Sequence, residues 1–310
     1  MPPWLIGTLR RWLTHEPAVP ATAAARVAPL ASAADDAATG DEAPQPSAPI
    51  ERFERLTGLR CEAEAAADAR PDEQAFVEAL QSLLESGQSL AAWVPRPPSV
   101  LPRLLACLRG EQPSLRQAAA LVREDPQLVA DIVRAANSAR MQHGEPVTEL
   151  EQAVLRLGVD GLLRIAGASV MRPLFDARRD ALLAAAAPKL ARLALAKSLL
   201  CYMQAPKCGV DAFDAYLAGL THNVGWVGVL RVLGLRLPPA PRPYSCRFVV
   251  ELSRLSERMY GASAEQWQIN DALIGLGRAL RKSPLEHSTL PLARLLWRAE
   301  TEVERKLLAA

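Results

Sequence analysis

The chain has 310 residues, half of them hydrophobic but only 5% aromatic, and its 36 basic and 34 acidic side chains leave a formal net charge of +2. That length can bury one large core or two ordinary ones. The near balance of charge supplies no global field toward nucleic acid or an anionic membrane, so no nucleic-acid partner is expected. Ala and Leu dominate over β-branched and aromatic residues, which favours helices over strands. Cys61, Cys107, Cys201, Cys208 and Cys246 are odd in number, widely spaced and without a Cys-x-x-Cys pair. They read as free thiols of a reducing cytoplasm. No apolar run approaches the ~20 residues that span a bilayer, and the N-terminus lacks the pattern of a cleaved signal peptide. The sequence therefore places the protein in the cytoplasm.

Residues 1–15 hold a short amphipathic helix in which Leu5, Ile6, Leu9, Trp12 and Leu13 share one arc. So short a helix needs a partner surface. Its own body, another protein and a membrane interface are the three candidates, and Arg10 and Arg11 are too few to favour the membrane. Residues 16–70 turn to Ala, Pro, Ser, Asp and Gly and read as a flexible linker that cannot offset its ordering entropy.

From residue 71 to 310 the pattern is helical throughout. Pro71-Asp72-Glu73 opens a helix that carries Phe76, Leu80, Leu83 and Leu84 up to Gly87. Leu101, Leu104, Leu105 and Leu108 form a second, and Ser114 caps a third. Asp125-Pro126 starts a fourth, with Leu128, Val129, Ile132, Val133 and Ala136 on one stripe and Asn137-Ser138 at its close. Val147, Leu150, Val154 and Leu157 lead to a stop at Gly158, and another helix starts near Asp160. Ala/Leu helices run over 182–204 and 212–233. Helices near 248–260, 264–280 and 291–308 follow, with breaks at Gly261 and at Lys282-Ser283-Pro284. No alternating run of strand length appears, so the fold is all-α.

Three stretches point to one lineage. Asp125-Pro126-x-Leu128 followed by Ala135-x-Asn137-Ser138-Ala139 resembles the "DPxL…NSA" helix of the HDOD (HD-related output domain) family. The segment from Val147 through Ala153-Val154-Leu155-x-Leu157-Gly158 is similar to the stretch that follows it there. Gly219-Leu220-Thr221-His222-Asn223-Val224-Gly225 resembles the Gly-Leu-Leu-His-Asp-Ile-Gly core of the wider HD superfamily. Together these cover about residues 97–275. The resemblance implies an HD-like helical bundle that serves as a regulatory or scaffolding output in bacterial signalling, including pathways that use cyclic dinucleotides.

The departures from the HD pattern are as telling. In the HD superfamily the adjacent His and Asp hold a divalent metal for phosphoester hydrolysis, with further ligands from neighbouring helices. Asn223 stands in the Asp position and offers a neutral carbonyl oxygen in place of charge. No histidine lies between His143 and His222 to serve as the upstream ligand, and Ala264 falls about where a downstream His would sit. The HD segment closes on Gly225-Trp226. The expectation is therefore no metal, no cofactor and no catalytic residue. His222 and Asn223, with Asn137 and Ser138, form either a buried polar node that fixes helix register or the floor of a vestigial pocket. The function expected is a non-enzymatic signalling scaffold whose partners are other signalling proteins. A nucleotide or cyclic-dinucleotide sensor is the alternative, and a metal-dependent phosphohydrolase comes last.

Overall fold

The computed structural model describes residues 49–61, 69–86, 90–94, 100–109, 114–138, 146–175, 181–237 and 243–307. The amphipathic arc of Leu5, Ile6, Leu9, Trp12 and Leu13 lies outside them. Among the described residues there is no strand, only helices and one isolated bridge between Cys61 and Tyr244. The all-α expectation holds.

The first described helix, α1 (Pro49–Thr57), stands where the composition suggested linker. The linker reading weighed the Ala/Pro/Ser background and overlooked Phe53 and Leu56. Both are fully buried against the body and supply the apolar area that so short a helix needs. Helix α2 (Pro71–Glu85) begins where Pro71 predicted. The buried Glu73 carboxylate accepts from the backbone N–H groups of Arg70 and Ser245 and from the Ser245 hydroxyl, and so staples this start to a later helix.

Helices α3 (Val100–Arg109), α4 (Leu115–Val122) and α5 (Pro126–Ala136) follow. Their caps are those the sequence announced. The Ser114 hydroxyl accepts from the Gln117 N–H, and the Asp125 carboxylate accepts from the N–H groups of Gln127 and Leu128. Gly158 interrupts α6 (Leu150–Met171) where a stop was expected: its φ of 65° and ψ of −177° are non-helical, in a region essentially reserved for glycine, and two helical pieces meet there across a kink. The long α7 (Ala181–Gln204) packs on α8 (Ala212–Thr221), α9 (Val224–Arg236) and α12 (Pro291–Leu307).

Two predicted boundaries are corrected. The helix read over 212–233 is interrupted at His222-Asn223, which separates α8 from α9. The break expected at Gly261 is absent. Helix α10 (Cys246–Trp267) runs through that residue and ends at Gln268, in the left-handed region, before α11 (Asp271–Lys282). Gly261 instead lies against Gly277 of α11, so its small size serves a helix crossing. None of the five cysteines forms a disulfide. Burial pushes the thiols of Cys61 and Cys201 up to about 12, which leaves them poor nucleophiles. No helix among the described residues is long and apolar enough to cross a membrane.

Candidate functional site

The break between α8 and α9 sets the site. Asn223 has φ −67° and ψ −7°, which ends one helix and starts the next. Two glycines hold the pieces in place. A Cβ on Gly219 would sit 2.6 Å from the Ser198 Cα of α7, and one on Gly225 would strike the Ser256 carbonyl of α10. Only glycine lets both neighbours come this close, and the result is that His222 and Asn223 face α7 at short range.

What they meet there is Lys197, a lone charge in the apolar run of α7 and 1% exposed. Its Nζ lies 2.7 Å from Asn223 Oδ1, 2.9 Å from His222 Nδ1 and 3.2 Å from Glu300 Oε1 of α12. Three acceptors thus meet the three N–H donors of one ammonium. Lysine has no acceptor, so His222 Nδ1 must accept and the imidazole proton sits on Nε2. The 3.5 Å separation of His222 Nδ1 from Glu300 is the weaker contact. Nε2 has no hydrogen-bond partner among the described residues, and the imidazole packs edge-on against Tyr260 at 5.3 Å between centroids. Burial first, then Lys197, hold the His222 pKa below its usual value, which keeps the ring neutral.

Asn223 is suited to this place for a second reason. Its Nδ2 donates to the Leu190 carbonyl at 3.1 Å while its Oδ1 accepts from Lys197. An aspartate could satisfy the lysine but would turn a second oxygen toward a carbonyl.

The node extends outward through a second cation. Arg52 of α1 clasps Glu304 with both ends of its guanidinium, Nε to Oε1 at 2.7 Å and Nη2 to Oε2 at 3.0 Å. Its Nη1 lies 3.7 Å from Glu300 Oε1. Burial would raise the Glu300 carboxyl, but Lys197, then Arg52 and His222, hold it well below the usual range. Burial prevails at Glu304 and at Glu257, whose carboxyls rise to about 7. Glu300 thus lies between two cations, and Glu304 shares one of them.

The resemblance to HD proteins implies a divalent ion at His222-Asn223, and the residues present do not fit one. The donors that would hold it converge on the Lys197 ammonium. Among the described residues no group of three or more His, Cys, Asp or Glu side chains is placed to bind a metal. A void of ≈ 10 Å³ lined by Leu193, Lys197, Asn223, Glu300, Val303 and Glu304 adjoins the node. That is room for about one water.

Asn137 and Ser138 belong elsewhere. The Asn137 side chain accepts from the Val147 N–H at 2.8 Å and donates to the Val147 carbonyl at 2.6 Å, which ties the end of α5 to the approach of α6. Ser138 is exposed. Sequence reasoning passed over Lys197, Glu300 and Arg52. The signal was there for Lys197: its neighbours Leu193-Ala194-Leu195-Ala196 and Leu199-Leu200 make the helix apolar on every face at that point, so the lysine must find a buried counter-charge.

Comparison with known proteins places this arrangement. Among solved structures, a candidate metal-dependent phosphohydrolase from Shewanella amazonensis SB2B is 20% identical, with a TM-score of 0.57 over 77% of this chain and 85% of its own. An HDOD domain protein of unknown function from Geobacter sulfurreducens is 19% identical, with a TM-score of 0.53 over 75% of this chain and 78% of its own. A candidate signal transduction protein from Marinobacter aquaeolei VT8 is 20% identical, with a TM-score of 0.53 over 79% of this chain and 58% of its own. At these identities the likeness is one of fold. No curated protein matches the sequence. The family model for the HDOD domain matches residues 94–275, well over half of the chain and spanning α3 through the start of α11. The chain belongs to the HDOD family.

Proposed function

We propose that this protein is a non-enzymatic regulatory module that acts through contacts with other signalling proteins. The observation that carries the reading is the Lys197 ammonium, seated among His222 Nδ1, Asn223 Oδ1 and Glu300 Oε1. Phosphoester hydrolysis on an HD-like site needs a Lewis acid with an open position for water. An ammonium offers three hydrogen bonds, all of them spent, and no coordination site. The site is also closed. Its void holds about one water, whereas a nucleotide needs a pocket of at least ~300 Å³. The belt of Leu5, Ile6, Leu9, Trp12 and Leu13 would serve as a further recognition element on the N-terminal side.

The test is to dialyse the purified full chain against Mn²⁺ and against Zn²⁺, measure bound metal by elemental analysis, and assay hydrolysis of bis(p-nitrophenyl) phosphate and of a cyclic dinucleotide. Metal far below one ion per chain and no turnover are expected. One ion per chain with turnover that disappears in His222→Ala overturns the reading.

A further inference from the structure

Helix α1 lies outside the matched family region, yet it closes the groove above the polar node. It packs on α7 and α10 and also reaches α9, α12 and Tyr244. Phe53 inserts between Trp226 and Tyr244, at 6.4 and 5.9 Å between ring centroids. Leu56 is buried beside it. Arg52 makes the two-pronged clasp on Glu304. Lys189 of α7 caps the far end, its ammonium donating to the Arg55 carbonyl at 2.6 Å and to the Leu56 carbonyl at 3.3 Å. The whole resembles a peptide seated in a receptor groove: a short helix with an arginine anchor, an aromatic anchor and a capped end.

Two features argue that this occupant can be exchanged. A nine-residue helix has little stability of its own, so its order derives from the groove. The groove also carries a charge that its occupant answers, since Glu300 and Glu304 pair with Arg52 from α1 while Lys197 from α7 reaches Glu300. Removing α1 would leave Glu300 and Glu304 with Lys197 alone beside an apolar cleft walled by Trp226 and Tyr244. That combination selects a cationic amphipathic helix over an acidic peptide or an uncharged one.

We propose that α1 is a built-in competitor, and that its groove is the docking site for a partner's amphipathic helix bearing an arginine, an aromatic residue at the next position and an aliphatic residue four positions after the arginine. This rests on reading the body as a partner-binding module and names the surface and the partner's chemistry. The partner displaces α1, pairs its arginine with Glu304 and Glu300, and fills the space of Phe53 and Leu56.

The test uses a fluorescent peptide of residues 46–60 and two full-length chains, the wild type and Arg52→Glu/Phe53→Ala, in which α1 is repelled from its own groove. The variant is expected to keep native helicity and cooperative unfolding and to bind the peptide at least about tenfold more tightly than the wild type. The same peptide with Arg52→Glu is expected to bind neither. Equal binding to both chains, or none to either, overturns the proposal. So does loss of cooperative unfolding in the variant, because α1 would then be part of the core. A dimer of the wild type formed by exchanging α1 would assign the groove to a second copy and overturn the choice of partner. Hydrogen exchange on the unaltered protein supplies an independent check. Amides of Phe53–Thr57 are expected to exchange roughly a hundredfold faster than those in the middle of α7, and equal protection overturns the proposal.

Discussion

The Asn223 side chain donates from Nδ2 to the Leu190 carbonyl at 3.1 Å and accepts at Oδ1 from Lys197 at 2.7 Å, so one amide bridges two points of the same neighbouring helix. A carboxylate can do only half of this. Asn223→Asp is expected to lose about 1–3 kcal/mol of stability, because the Leu190 carbonyl loses its donor and faces an acceptor. Urea denaturation of the two proteins under identical conditions measures the difference, and a variant as stable as the wild type contradicts the bridge.

Lys197 is the only cation α7 gives to this node. Lys197→Met leaves Glu300 with Arg52 alone and is expected to cost about 3–5 kcal/mol, the usual penalty for orphaning one member of a buried pair. Lys197→Met with Glu300→Gln should recover part of that loss. A double-mutant cycle by chemical denaturation reads the coupling, and strictly additive losses argue that the pair does not interact.

His222 is expected to stay neutral, as its Nε2–H tautomer, to lower pH than an ordinary histidine. Its folded pKa is depressed, so the unfolded chain takes up the proton first, and this residue's contribution to stability is lost as pH falls below its unfolded value of about 6.5. Nitrogen-15 NMR of the imidazole gives the direct check. A ring that titrates near 6.5, or carries its proton on Nδ1, is incompatible with the Lys197 contact.

Glu257 works in the opposite sense. Its folded pKa of about 7 exceeds the unfolded value, so the protonated form favours the fold. Its contribution is fully present below about pH 4.3 and is lost as pH rises through 7. Glu257→Gln retains an oxygen to accept from the Leu285 N–H and carries no charge. Relative to wild type it is expected to gain about 2 kcal/mol between pH 5 and pH 8. Denaturation curves at the two pH values give the comparison, with the common His222 contribution cancelling.

Gly219→Ala tests the close approach that aims the site. Its Cβ would lie 2.6 Å from the Ser198 Cα and 2.7 Å from the Ser198 nitrogen, both backbone atoms that cannot swing aside. A loss of about 2–3 kcal/mol is expected. The half-buried helix position Gly275, where an added Cβ would meet nothing within 4 Å, is the control. There the same substitution should be neutral or stabilising by up to ~1 kcal/mol.

The helices were legible because their punctuation is local. Asp125-Pro126 and Ser114 cap where they stand, and periodic Leu and Ile mark one buried face. Local signals also misled. Gly261 reads as a breaker, but its environment is another helix, and only the fold reveals that. The departure from the HD pattern at His222-Asn223 was visible, since it concerns residues that are adjacent or absent. Its replacement was hidden, because Lys197, Glu300 and Arg52 come from three segments separated by more than a hundred residues. Helix α1 was missed for a related reason: Phe53 gains meaning only against Trp226 and Tyr244, and Arg52 only against Glu304, all far along the chain.

A cage built around Lys197 differs from a metal cage in where its cation comes from. A bound ion must be drawn from the cell's supply, can be displaced by a metal higher in the Irving–Williams order, and is removed by a chelator. The ammonium of Lys197 is made with the chain, one per molecule, and stays attached through its own side chain. The folded module is thereby insulated from metal scarcity and from mismetallation.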